Sequence, residues 1–226
     1  MTRVHDMGGR FGDGSVDPGR SNDPVFAEEW HARALAVTLA AGGLGQWNLD
    51  SSRHSRERLA PKDYTRFSYY EKWIAALADL LVEKGIVSLE ELEAGRGLSS
   101  PSDLTERVLK AEAVAPGLAK GGPADREISE PPALAAGDKV RTRRPARNTL
   151  ADGGHTRQPA YTAGAVGIVA LHHGAHVLPD ANAHGLGEAP EHLYAVAFPA
   201  SELWGDAKNP NDEVMVDMWQ SYLEKV

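Results

Sequence analysis

The hydrophobic period of this chain changes once along its length, and that change limits what it can fold into. Up to about residue 95, apolar side chains recur at steps of three and four, the spacing of one helical face. From Gly137 onward they come in short alternating runs separated by glycine and proline, which is strand grammar. Helices first and strands second means an α+β chain rather than an alternating α/β one.

The helical part has readable punctuation. Asn22-Asp23-Pro24 pairs a capping side chain with a first-turn proline, and Phe26, Trp30, Leu35, Val37 and Leu39 carry the first helix to Gly42-Gly43. Pro61-Lys62-Asp63 opens a second, with Tyr64, Phe67, Tyr70, Trp73, Ile74, Leu77 and Leu81 on one face and Gly85 at its end. Ser88-Leu89-Glu90-Glu91 is a capping box for a short third helix that Gly95 closes. Before them, residues 1–21 carry Gly8, Gly9, Gly12, Gly14, Pro18 and Gly19, an extended arm with no regular element of its own. The domains expected are therefore arm plus helices over 1–95, a connector with a short helical pattern at Leu104, Val108 and Leu109 over 96–135, and strands over 136–226. The strand runs are 139–141, 167–171, 192–198 and 213–219, enough for a small β-barrel.

Composition removes several function classes. Lys and Arg total 24 against 32 Asp and Glu, for a net charge of −8, and no basic stripe marks a nucleic-acid face. No apolar run reaches the roughly 18 residues of a membrane span, and Met1 to Asp6 lack a signal-peptide core, so the cytoplasm is the expected compartment. Cysteine is absent, which excludes disulfides, iron–sulfur clusters and thiolate metal sites within the chain. Any soft-ligand metal would have to be held by a partner.

Few residues promise chemistry by spacing. His172, His173 and His176 could mimic a metal cluster, yet a strand–turn–strand course there would not converge their rings, and they read as turn and surface histidines. Asp180, Glu188 and Glu191 sit among Gly, Asn and Pro and read as turn formers. Gly42-Gly43-Leu44-Gly45 follows a helix instead of preceding one, so it cannot aim amides at a phosphate and reads as a terminator. Arg53, between the first two helices beside Leu49, and Arg157, in Gly154-His155-Thr156-Arg157, are on composition alone solvated cations. Tyr69 and Trp73, four apart, share a helix face that core packing alone would explain.

Ordered landmarks along nearly the whole chain nevertheless resemble the β subunits of nitrile hydratases. His5-Asp6-Met7-Gly8-Gly9 comes first, then Asp23-Pro24-Val25-Phe26, Asn48-Leu49-Asp50 with Arg53, and Tyr69-Tyr70 with Trp73. Gly154-His155-Thr156-Arg157, His173-Gly174-Ala175, Pro190-Glu191-His192-Leu193-Tyr194 and Glu202-Leu203-Trp204-Gly205 follow in order.

The resemblance implies an SH3-like form for the β-barrel, and an enzyme that hydrates nitriles to amides only as an αβ or higher hetero-oligomer. It implies a Co(III) ion, alternatively Fe(III), held by oxidised cysteines of the α subunit, with none bound by this chain. Arg53 and Arg157 would hydrogen-bond the oxidised sulfurs, while Leu49, Tyr69 and Trp73 would wall the nitrile pocket; tryptophan at 73 favours cobalt. Where cobalt relatives often carry rings, this chain has Thr38, Gly42 and Ser52, which implies a bulkier or more polar nitrile. An activator protein for metal insertion, a thiocyanate-type hydrolase subunit and a plain binding module are the other readings. An activator would not need residues 137–226, and in the thiocyanate enzymes the two halves resemble separate chains.

Overall fold

The computed structural model describes residues 4–6, 17–98, 103–205, 209 and 211–226, so most of the N-terminal arm and the Ser99-Ser100-Pro101 turn lie outside the described residues. The chain divides into two compact units, one over Gly9–Gly121 with the first five residues and one over Gly122–Val226 with Asp6. The architecture is α+β, as the change of period predicts.

In the first unit, helix α1 spans Glu29–Gly43, α2 Leu49–Glu57, α3 Pro61–Arg66, α4 Tyr69–Glu83, α5 Leu89–Ala94 and α6 Ala111–Lys120. α1 begins later than Asn22-Asp23-Pro24 predicts, because those residues close a turn of their own: Arg20 N donates to Asp23 Oδ2 at 2.7 Å and Asp23 N to Arg20 O at 3.0 Å. The long second helix expected from Pro61 is two helices, broken at Phe67, whose backbone is extended. Ser68 restarts the helix, its N–H donating to the Glu71 carboxylate at 2.6 Å. The Ser88 box and the left-handed Gly95 cap bound α5 as expected. α4 is the spine: α1 and α2 both pack against it, burying Ala76, Leu77 and Leu80. At its N-terminal end, Tyr70 is ringed by Phe26, Trp30, His31 and Trp73, with centroids 4.8–6.5 Å away.

The second unit is one antiparallel sheet. Strand β1 spans Asp125–Arg126, β2 Lys139–Thr142, β3 Val166–His176, β4 Glu191–Pro199, β5 Glu213–Trp219 and β6 Leu223–Lys225. Their order is β5-β4-β3-β2-β6, with β1 added to β3. The expected closed barrel is not formed. β5 and β6 are opposite edges and exchange no ladder bonds among the described residues, so the sheet is open. Only Gln220–Tyr222, one 3₁₀ turn, carries the chain between those edges, so the sheet must coil hard. Register shifts in β3 after Val169 and His172 supply bends for that coiling. The concave face buries Val140, Val169, Tyr194, Val196, Phe198, Met218 and Tyr222.

That 3₁₀ turn places a polar group inside the core. Tyr222 is 1% exposed and its hydroxyl donates to the Asp180 carboxylate, which is 3% exposed at the short helix α7, Pro179–Asn182. Thr156 Oγ1 and the Arg157 N–H, each 3.2 Å away, donate to the same hydroxyl oxygen. Asn148 completes the weave, donating from Nδ2 to His155 O at 2.6 Å and to Asp180 O at 2.8 Å. Burial holds the Asp180 carboxyl above the ordinary carboxylate range and pushes the Tyr222 phenol upward too.

A raised folded-state pKa means the native chain holds the proton longer than the unfolded chain. Its stabilising effect is complete at low pH and fades as pH rises through the folded value. Asp180→Asn keeps an acceptor for Tyr222 without a charge to bury. Its stability relative to the parent should therefore climb as pH rises above about 4, the ordinary range of an aspartate, as read from urea midpoints. A flat or falling difference would contradict the burial argument.

Candidate functional site

Asn48 starts α2 by accepting from Ser51 N at 2.8 Å, so Arg53, expected in a linker, stands on a helix. Its Nη1 donates to Asp50 Oδ1 at 3.0 Å, across one turn, while the side chain stays 39% exposed. Asp50 itself is buried, so the pair is anchored at its acidic end and open at its basic end. The guanidinium therefore keeps donors facing outward in a fixed plane.

Beside it lies a cleft of about 330 Å³ lined by Thr38, Leu39 and Gly42 of α1, Trp47, Leu49 and Ser52 around the start of α2, and Arg56 and Trp73. Thr38, Gly42 and Ser52, singled out as departures, thus share one cavity with Leu49 and Trp73. Leu49 is 61% exposed. Tyr69, 63% exposed, is outside the lining but packs on Trp73 with ring centroids 5.5 Å apart. Leu49 and Tyr69 are thus large side chains left exposed beside the cleft.

Arg56 went unnoticed in the sequence. It lies seven residues after Leu49 and four after Ser52, a spacing that puts all three on one face of a helix. Its guanidinium lies over the Trp73 ring, 4.6 Å from the centroid, and Nη1 reaches Ser52 Oγ at 3.4 Å. Burial lowers its proton affinity below that of a free arginine.

In the second unit, Arg157 is exposed, and its main chain is held from below by the Tyr222 hydroxyl. Gly154 permits the tight turn before it: a Cβ there would stand 2.6 Å from His184 Nε2 and 2.8 Å from Asn148 Nδ2. Gln158, just beyond, is tied to Arg143 O at 2.7 Å. The side chain is thus free to project from a clamped backbone. Asp180 is consequently no turn former but the buried anchor of this loop. The signal that would have found it is Tyr222, 42 residues distant.

The remaining candidates do not converge on one site, although His172 and His176 are half-buried rather than on the surface. His172, His173 and His176 all lie on β3 in place of a strand–turn–strand course; His172 and His173 take different partners, and His176 Nδ1 is buried with no hydrogen-bond partner among the described residues. His172 Nε2 is 3.0 Å from His192 Nδ1, and His173 Nε2 is 3.0 Å from Asp217 Oδ1. Glu188 accepts from Arg126 on both oxygens, and Glu191 accepts from Ser221 N at 3.0 Å. Among the described residues, no helix is long and apolar enough to cross a membrane.

Known proteins match the whole chain. The family described as nitrile hydratase beta subunit, N-terminal, matches residues 1–117, and its C-terminal counterpart matches residues 123–225. The chain is 37% identical over 228 residues to the low-molecular weight cobalt-containing nitrile hydratase subunit beta of Rhodococcus rhodochrous, covering 99% of each. It is 37% identical over 232 residues to the cobalt-containing nitrile hydratase subunit beta of Pseudonocardia thermophila, covering 100% of this chain and 97% of that one. To the nitrile hydratase subunit beta of Pseudomonas putida it is 39% identical over 231 residues, covering 99% of each. Two adjoining family matches and relatives aligned end to end establish that this chain belongs to the nitrile hydratase β-subunit family.

Proposed function

We propose that this chain works as the β half of an αβ nitrile hydratase, closing a Co(III) site whose ligands are cysteines of the α subunit. The observation that carries this reading is the Arg53 guanidinium, held by the buried Asp50 carboxylate yet open to solvent beside an exposed apolar cleft. A cysteine-free chain offers no thiolate to a metal, but fixed guanidinium donors suit the anionic oxygens of oxidised sulfur ligands. Two relatives at 37% identity are named as cobalt-containing, and tryptophan at 73 agrees with that metal. Bound in the partner, the metal supplies Lewis-acid activation. Arg53 and Arg157 orient and partly neutralise its sulfur oxygens, and Leu49, Tyr69 and Trp73 wall the nitrile.

The proposed setting is cytoplasmic, with the chain arranged as arm and helices over 1–95, connector over 96–135 and strand domain over 136–226. The hard coiling of the sheet through Gln220–Tyr222 supports an SH3-like reading of that last part. An accessory role in metal insertion has less support, because it leaves the clamped Arg157 loop without a purpose.

The chain should co-purify with a cysteine-rich partner that contains cobalt, and the pair should hydrate nitriles. Lysine keeps charge but not the fork, so Arg53→Lys and Arg157→Lys should each lower kcat by about 10-fold to 100-fold. Subunit association, followed by gel filtration, and cobalt content should persist. Undiminished turnover in both variants would refute their assignment to the sulfur oxygens.

The cleft also bears on substrate size. A Cβ at Gly42 would meet nothing within 4 Å, so Gly42→Phe should fill the cavity without disturbing α1. Large aryl nitriles should then lose about 10-fold or more in kcat/KM relative to acrylonitrile, because a ring removes most of a small cavity. Equal losses on both, or a parent enzyme far better on acrylonitrile than on large heteroaromatic nitriles, would count against a widened pocket.

A further inference from the structure

The cleft of the first unit is walled mainly by Thr38, Leu39, Trp47, Leu49 and Trp73, and among its described lining residues Arg56 alone carries a charge. A cation in an apolar cavity has to be offset, since desolvating it is costly. Arg53, one turn earlier on the same helix, is offset by Asp50. Arg56 makes no close ion pair with a described carboxylate, although the neighbouring Glu57 attracts it electrostatically; it has the π face of Trp73 at 4.6 Å and a long contact to Ser52 Oγ at 3.4 Å. A guanidinium presents five N–H donors, and stacking on a ring occupies its face, not its edge. The edge is left with donors for a planar, two-oxygen acceptor.

We infer that Arg56 is a specificity-determining residue that selects nitriles bearing a carboxylate at the end remote from the cyano group. The inference rests on the hydratase reading above and names its substrate class. Arg53, assigned to the reacting end, and Arg56 are separated by three residues of helix, a rise of about 4.5 Å. That rise is a backbone spacing; it is the charge of Arg56 beside the apolar walls Leu49 and Trp73 that points to a small cyano acid, with its carboxylate on Arg56. The cavity of about 330 Å³ has room for a single-ring acid. Burial lowers the proton affinity of Arg56, but a guanidinium remains charged at neutral pH, so its attraction for the acid does not titrate away.

The test uses the assembled αβ enzyme and two probes matched in shape but not in charge, 4-cyanobenzoate and 4-methylbenzonitrile. The parent enzyme should favour the acid in kcat/KM. Arg56→Met should lower the acid-to-neutral ratio by about 10-fold to 100-fold, the value of a charge-assisted hydrogen-bond pair. The loss should appear mainly in KM for the acid and should exceed any change in KM for 4-methylbenzonitrile by that same factor. Arg56→Lys, which keeps the charge, should keep part of the preference and provides the comparison if the methionine variant assembles poorly. Rising potassium chloride should erode the parent's preference, because the cleft is open to solvent.

A ratio unchanged by Arg56→Met, or a parallel fall for both probes, would overturn the Arg56 assignment while leaving the hydratase reading intact. A parent complex that hydrates neither probe nor acrylonitrile would overturn that reading, and this inference with it.

Discussion

The hydroxyl of Tyr222 is the point on which the strand-rich unit depends. It sits in the three-residue turn joining the two edges of the sheet, donates to Asp180 of α7, and accepts from Thr156 and from the Arg157 amide. Segments far apart in sequence are thus tied through one oxygen in a site that excludes water. Such a bond is worth little in exchange with water but much to leave unmade once buried, on the order of 1–3 kcal/mol for the abandoned group. The sheet is held in its coil and the Arg157 loop in its turn by the same atom. Fold and candidate site are therefore one network in this unit.

The helical unit solves a different problem, that of holding two cations three residues apart on α2. It treats them unequally. Arg53 receives a carboxylate on its own helix, while Arg56 receives an aromatic face from α4. An ion pair lowers the cost of keeping Arg53 near a low-dielectric surface and fixes the plane of its donors. A π face does less to neutralise Arg56, because its attraction comes from a ring quadrupole and not from a net charge. Like charges one turn apart also repel. The charge of Arg56 is therefore less offset than that of Arg53.

Much of this was readable from the residues, and what escaped has identifiable causes. The presence of α1 and α4 and the Ser88 box of α5 are local signals, and they held, although Trp30, Val37 and Ile74 of the expected faces are exposed. α2 did not register because Leu49-Asp50-Ser51-Ser52-Arg53-His54-Ser55-Arg56-Glu57 has almost no apolar face; only the Asn48 cap announces it. α6 was hidden by Pro116, and the start of α1 was drawn too early because an Asp23 turn looks like a cap. Strand alternation locates strands but carries no information about whether two edges meet, so a closed barrel was expected where the sheet stays open. Asp180 was misread for a similar reason: Pro and Asn beside it promise a turn, while its burial depends on Tyr222. Of the site, Arg53, Leu49, Tyr69, Trp73 and Arg157 came from resemblance, and Arg56 became visible only once Trp73 was placed beneath it.

Dividing a catalytic centre between two chains, as proposed here, sets a requirement on the chain that contributes no metal ligand. Its donors must be in position before assembly, because ordering a flexible arginine at the interface would subtract from the binding energy. Both arginines meet that requirement by different means. Arg53 is fixed at the guanidinium, through Asp50, on a helix packed against the spine of its unit. Arg157 is fixed at the backbone, through Tyr222, with its side chain left exposed. A donor locked at its head favours one geometry, whereas one locked at its root can still adjust to what it meets. In the proposed assembly that distinction would make Arg53 the donor that sets the position of the sulfur oxygens and Arg157 the one that adjusts to them.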